Sequence, residues 1–286
     1  MLKDTVAAYF RAHPDRAAPY QNELRRLAAC ENDYMAVYPY PFCDNYMNGV
    51  SCVKVEQGPN GLPYVMHKGR PLYFPPQWGQ LIPYKYRYLC MEQDPESPHR
   101  YLTPALEGGT FDVLIDAGCA EGMLALELAD RVGRIVLVEC DPLWLPCLAA
   151  TFAPWKDKVI LVPKKLSDTD SADSVTLATL ARELRITNAL LKMDIEGYEA
   201  QALRGAGALA TYAAAVLCCT YHRAGDAALL PAALEGLGYA AELSRGWMLF
   251  ASPPEWLPLP EPPYFRKGLV RGVHPLWPAE RPRRAP

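Results

Sequence analysis

Five short stretches place acidic, glycine or histidine residues at the ends of apolar runs. The first is V-L-I-D-A-G-C-A-E-G, residues 113–122, in which a strand ends at Asp116 and turns through Gly118 and Gly122 into a helix. Such a turn brings backbone N–H groups and a helix N-terminus close to a ligand. Asp116, Gly118, Cys119, Ala120 and Gly122 are therefore candidate cofactor-binding residues. A dinucleotide fingerprint needs glycine at 118, 120 and 123. Positions 120 and 123 are Ala and Met, so the pattern suits a ligand without a pyrophosphate.

Glu139 closes the next apolar run after the one that ends at Asp116, and is followed by Cys140 and Asp141. An acid at that strand tip can accept both ribose hydroxyls of a nucleoside. Ser167 and Asp168 follow the third run, where they can meet an adenine edge or simply cap a turn. The fourth run ends in K-M-D-I-E-G-Y-E, residues 192–199, and alternation puts Asp194 and Glu196 on one side with Lys192. Both acids read as site residues; the plainer role for Glu196 and Glu199 is to complement the next helix N-terminus. The fifth run ends in Thr220-Tyr221-His222, and His222 is the candidate general base. Its ordinary pKa of about 6.5 would make the rate fall below that pH. Asp194, Glu196 and His222 also suit Mg²⁺, but no metal ligand is assigned.

Proline locates the regular part of the chain. Of 28 prolines, 12 precede residue 100, 10 follow residue 252, and only six lie between. The middle alternates apolar strands (111–116, 134–139, 158–163, 189–195, 213–221) with helices (121–131, 142–152, 174–184, 198–209, 226–237). Two shorter strands are expected at 241–244 and 247–251. This pattern predicts an α/β domain with a mostly parallel sheet covered by helices on both faces. It implies three regions. Residues 1–105 form a helical and irregular extension, with helices at 2–12 and 19–30, that covers the active edge or packs as an appendage. Residues 106–252 form the cofactor-binding domain. Residues 253–286 form an extended tail docked by Trp256, Tyr264, Phe265 and Trp277.

D-A-G-C-A-E-G at 116–122, V-E-C-D at 138–141 and K-M-D-I-E-G-Y-E at 192–199 resemble the FkbM family of S-adenosylmethionine-dependent methyltransferases. Ala-Leu-Arg-Gly-Ala at 202–206, Thr151-Phe152 and the upstream E-Q-D-P-E-S-P-H-R-Y-L at 92–102 extend the likeness. The resemblance implies a seven-stranded class I, Rossmann-like methyltransferase sheet. It also implies S-adenosyl-L-methionine as cofactor and O-methylation of a sugar, polysaccharide precursor or secondary metabolite. Asp116 and the glycine turn would hold the methionine end, Glu139 the ribose, and Cys140 and Asp141 would pack beside the adenosine. Asp194 and Glu196 would orient the substrate or His222, while His99, Arg100 and Tyr101 would bind substrate or close over the cofactor. The chain departs from many relatives at Thr220, where they carry an acid two residues before the histidine.

With 29 basic and 32 acidic residues the formal charge is −3. That balance argues against a dedicated nucleic-acid binder, and no apolar run is long enough for a membrane span. Nine cysteines, with no C-x-x-C, fit a reducing cytoplasm rather than a zinc site or disulfide framework. The basic cluster Arg266, Lys267, Arg271, Arg281, Arg283 and Arg284 reads as a solvated tail rather than a phosphate site. The expected state is a monomer or weak dimer. Two other functions stay open: a catalytically weak cofactor-binding interaction protein, and a methyltransferase acting on RNA or protein.

Overall fold

The computed structural model describes residues 2–29, 37–249 and 262–277. The chain opens with helices α1 (Leu2–Ala12), α2 (Gln21–Ala29) and α3 (Cys43–Met47). An antiparallel meander follows, of β1 (Val55–Gln57), β2 (Pro63–His67) and β3 (Arg70–Tyr73). Helices α4 (Ile82–Glu92) and α5 (Pro104–Gly108) complete the extension. Composition predicts irregular structure where α4 begins, but Pro83 sits in its first turn, where no N–H is needed.

The central domain runs β4 (Val113–Ala117), α6 (Met123–Leu128), β5 (Arg134–Val138), α7 (Leu145–Thr151) and β6 (Val159–Val162). A small parallel pair, β7 (Lys165–Ser167) and β8 (Ser174–Thr176), precedes α8 (Leu177–Glu183). The helix expected from Ser174 therefore starts at Leu177, where Thr176 caps it by accepting the Thr179 N–H. The chain continues through β9 (Ala189–Met193), α9 (Glu199–Arg204), β10 (Ala213–Cys219), α10 (Asp226–Gly236), β11 (Ala240–Leu243), β12 (Met248–Leu249), β13 (Phe265–Arg266) and β14 (Leu269–Val273).

Seven strands form one sheet in the order β11-β14-β10-β9-β4-β5-β6. β6, β5, β4, β9 and β10 are parallel, whereas β14 runs antiparallel to both β10 and β11. This is the class I methyltransferase, Rossmann-like architecture. Its last strand corrects the sequence reading, because Leu269–Val273 lies in the stretch expected to be an extended tail. Met248–Leu249, expected as a further strand, pairs instead with Phe265–Arg266 in a separate ribbon. Short, glycine-containing L-V-R-G-V carries a weak periodic signal beside the prolines around it. The Trp256, Arg281, Arg283 and Arg284 readings lie outside the described residues, as does Cys30.

Alternation divides the sheet between two cores. Leu114, Ile135, Leu137, Leu190 and Leu217 face one. Val113, Ile115, Val136, Leu191, Met193 and Val216 face the other. Both faces are covered, so β4, β9 and β10 are buried at every residue. The extension is anchored at several places. Leu72 and Phe74 join the first core, Phe10 and Tyr20 pack on Phe265, and Tyr38 and Met91 pack with Met248. No helix among the described residues is long and apolar enough to cross a membrane.

Candidate functional site

The chain passes from β4 to β5 on one side and later returns to β9 on the other. In open α/β sheets such a reversal marks the crevice, beyond the strands' carboxyl ends, where ligands bind. On the β5 side the glycine turn is shaped by backbone conformation. Gly118 and Gly122 have φ of +64° and +78°. A Cβ on Gly118 would lie 1.8 Å from the Asp194 carbonyl oxygen, so only glycine lets the turn close on β9. Ala120 also has positive φ, 45°, and its N–H donates to Glu139 Oε2 at 3.0 Å. Glu139 Oε1 accepts the Asp141 N–H at 2.8 Å. The Glu139 carboxylate is thus fixed at the tip of β5, facing the turn, as the spacing predicts. Cys119 is buried beneath the turn, whereas Cys140 is exposed. Asp141 turns its carboxylate back to its own loop, accepting the Leu143 N–H.

Asp116 is not at the crevice surface: it is 1% exposed and its Oδ1 lies 3.0 Å from Lys192 Nζ. Register explains the pair, since Asp116 and Lys192 are opposite one another on adjacent parallel strands. Lys192 also donates to the Gly118 carbonyl at 2.7 Å and lies over the Tyr101 ring. Burial opposes its charge, but Asp116 and Asp194 hold the ammonium above its ordinary range. Lys192 ties β9 to the glycine turn. Sequence alone marks it only as a neighbour of Asp194 and Glu196.

On the β9 and β10 side, side chains from the extension and from the tip of β10 converge on Asp194. Tyr101 donates its hydroxyl to Oδ2 at 2.8 Å and Tyr221 donates to Oδ1 at 2.9 Å. His222 Nε2 lies 3.3 Å from Oδ1, and His99 Nε2 lies 3.8 Å from Oδ2. Burial would raise the Asp194 pKa, yet Lys192, His222, His99 and the Tyr101 hydroxyl hold it well below the usual carboxylate range.

The two histidines differ in state. His222 has Nδ1 2.9 Å from Glu199 Oε1 and Nε2 3.6 Å from Glu196 Oε2, besides its Asp194 contact. Burial pulls its pKa down, but Glu199, Asp194 and Glu196 outweigh it and push the value up to about 9. At neutral pH the ring is an imidazolium, which corrects the expectation of a base with pKa 6.5. His99 is 1% exposed, and burial pushes its pKa down to about 4 despite Asp194. The orienting partner absent at Thr220 comes from Glu199 and Asp194; Thr220 itself donates to the Lys267 carbonyl.

The structure brings His99 and Tyr101 to Asp194, but not Arg100. That guanidinium donates to the Leu102 carbonyl at 2.7 Å and to Glu107 at 2.5 Å, so its role is to brace residues 100–107. Ser167 and Asp168 hold α9: both accept from Gln201 Nε2, and Asp168 also pairs with Arg204. The basic cluster is structural where it is described. Arg271 donates to the Arg100 and Tyr101 carbonyls. Lys267 donates to the Gly246 carbonyl and lies over Trp247, and Arg266 is buried.

Sequence reasoning passes over two acids. Glu121 is buried within the motif itself, and burial raises its pKa to about 7. Glu92 ends α4 and accepts the Tyr38 hydroxyl at 3.4 Å. Burial, then Asp194 and Glu121, push it well above its ordinary value. Acids inside an apolar helical pattern are the available signal. Among the described residues, two sets of side chains lie close enough together to meet one ion, His99, Asp194 and Cys219, and Asp194, Glu199 and His222.

No protein-family model matches the chain, and no curated protein matches it. Among solved structures, the chain is similar to the METTL16 MTase domain, at 12% identity over 86% of this chain and 96% of that one, with a TM-score of 0.42. It is similar to precorrin-6y C5,15-methyltransferase from Geobacter metallireducens GS-15, at 13% identity over 59% and 85%, TM-score 0.39. It is also similar to the N-methyltransferase NodS from Bradyrhizobium japonicum WM9 in complex with S-adenosyl-l-homocysteine, at 12% identity over 60% and 82%, TM-score 0.37. The fold assignment rests on strand order and register in this chain.

Proposed function

We propose that this chain is an S-adenosylmethionine-dependent O-methyltransferase of the FkbM type, acting on a hydroxyl of a sugar, polysaccharide precursor or secondary metabolite. One observation carries the reading: Glu139 is fixed at the tip of β5, against a turn closed by Gly118 and Gly122. That arrangement suits a nucleoside, with the Glu139 carboxylate on the ribose hydroxyls and the turn's N–H groups on the amino-acid end. The turn favours this cofactor over a dinucleotide, because positions 120 and 123 are Ala and Met where a dinucleotide fingerprint needs glycine.

The cofactor supplies an activated methyl group with a neutral thioether as leaving group. The protein's part is to place the acceptor oxygen in line and to take its proton. Asp194 accepts from the Tyr101 and Tyr221 hydroxyls, which makes it a fixed anion that orients its neighbours. His222, charged at neutral pH, holds Asp194, Glu196 and Glu199 together. Glu196, with its side chain 84% exposed, is the carboxylate best able to receive the hydroxyl proton and pass it to solvent. His99 and Tyr101 close the acceptor side from the extension.

The test is a turnover assay. Purified protein with S-adenosylmethionine and a panel of sugars and hydroxylated metabolites should release S-adenosylhomocysteine with one acceptor class. Glu196→Gln should slow release by about 10²-fold or more. Cofactor binding with no release from any acceptor, including cell extracts, would argue for a binding protein.

A further inference from the structure

We propose that Arg223 selects acceptors that carry an anionic group, a carboxylate or a phosphate, on the same sugar ring as the hydroxyl to be methylated. The proposal rests on the methyl-transfer reading and names the acceptor class for that site.

The loop between β9 and α9 bends sharply. Glu196 and Gly197 both have positive φ, 56° and 89°, and non-glycine residues held in that region cluster at functional sites. The bend sets the loop against the tip of β10. A Cβ on Gly197 would lie 3.0 Å from Arg223 Nε and 3.5 Å from the His222 Cβ, so glycine lets the arginine side chain cross the loop. After Gly197 in the chain, the Tyr198 ring lies 6.0 Å from the Arg223 guanidinium, which stands over it. Both residues are exposed, Tyr198 by 47%. Before Gly197, Glu196 has Oε2 3.6 Å from His222 Nε2. One glycine thus separates the carboxylate that receives the hydroxyl proton from the tyrosine that carries the guanidinium.

The state of that guanidinium carries the inference. Among the described residues it makes no ion pair and donates no hydrogen bond. Asp226 accepts the Arg223 backbone N–H instead, at 2.9 Å. Other cations at this edge are committed. Lys192 serves Asp116 and the Gly118 carbonyl, His222 faces Asp194, Glu196 and Glu199, and Arg271 donates to two carbonyls. An exposed guanidinium, placed by an aromatic ring and without a counter-ion, offers a planar fork of donors. That fork matches a carboxylate or a phosphate through two parallel hydrogen bonds.

A ring that holds its hydroxyl at Glu196 can place an acidic group at Arg223. Asp194 and Glu196 repel an anion at their own end, so opposite charges at the two ends fix which way round the acceptor lies. Uronic acids and sugar phosphates both pair a hydroxyl with an acid in this way.

The experiment is a saturation-transfer NMR titration of the full chain with methyl glucuronide, glucose monophosphate and methyl glucoside, with S-adenosylhomocysteine present. At least one acidic probe should bind at least about tenfold more tightly than the glucoside, and which one does so identifies the anion. Arg223→Gln should abolish that preference and leave glucoside affinity unchanged. Arg223→Lys should keep part of it, since the charge remains and the fork is lost. Arg182→Gln, an exposed arginine on α8, should leave the preference intact. Equal affinity of the wild type for all three probes, no binding of any probe at millimolar concentration, or an undiminished preference in Arg223→Gln overturns the proposal. A parallel titration with S-adenosylmethionine separates the two claims. Cofactor binding without an acidic preference removes this inference alone. A preference that depends on Arg223 without cofactor binding removes the methyl-transfer reading and keeps the anion contact.

Discussion

The two halves of the crevice are built differently. At β4 and β5 the site is local: Glu139 and the glycine turn are held by backbone N–H groups from the same short stretch of chain. At β9 and β10 it is assembled from afar. Tyr101, Tyr221, His99 and His222 reach one carboxylate, Asp194, from the extension and the fifth strand. The first half depends on conformation and the second on charge. Substitutions and pH should therefore act on them in different ways.

The largest effect should come where the halves are joined. Lys192→Met leaves Asp116 buried without its ion partner. Breaking such a pair costs about 3–5 kcal/mol, which urea unfolding will measure. A loss under about 1 kcal/mol would mean that Asp116 is readily neutralised and that the halves are not linked through this pair.

A slightly smaller effect should follow pH in the β9 and β10 half. The folded pKa of His222 is raised from 6.5 to about 9. Its contribution to stability is therefore full below about 6.5 and is lost as pH rises through about 9, by about 3 kcal/mol in all. His99 has the opposite sign. Its folded value is about 4, so its contribution is present above about 6.5 and is lost as pH falls toward 4. Denaturation curves of His222→Gln should lack the alkaline loss and keep the acidic one. An unchanged alkaline loss would place the titrating group elsewhere.

Next in size is the strap that carries His99 and Tyr101 across the edge. Arg271 on β14 donates to the Arg100 and Tyr101 carbonyls. Arg271→Leu should cost about 1–3 kcal/mol and raise KM for the acceptor more than for the cofactor. The smallest effect is expected from Arg204→Ala, an exposed partner that should shift neither the unfolding midpoint nor cofactor affinity measurably. A clear loss of cofactor affinity in that variant would mean that Asp168, which Arg204 holds, contacts the adenine.

The same contrast governs what can be read from sequence. The turn, Glu139 and the strand–helix alternation are legible because periodicity and spacing are local signals. Asp194, Glu196 and His222 are placed by their positions at strand ends, but their charge states are not. The imidazolium of His222 depends on Glu199, which belongs to the preceding helix and packs behind the ring. The Lys192–Asp116 pair needs the register of two strands that lie far apart in sequence. No local signal reveals that α9 packs on Ser167 and Asp168. The last sheet strand is hidden because L-V-R-G-V matches no strong strand pattern and follows a proline-rich stretch.

The central claim is that a nucleoside-type methyl donor sits at the β4–β5 edge with its ribose on Glu139. The most direct measurement is calorimetric titration of S-adenosylmethionine into the wild-type chain and into Glu139→Ala. The account predicts one cofactor per chain. It predicts a loss of about 1.5–3 kcal/mol in the variant, with the sheet still folded. Equal affinity in the two proteins, or equally tight binding of NAD by the wild type, would contradict it.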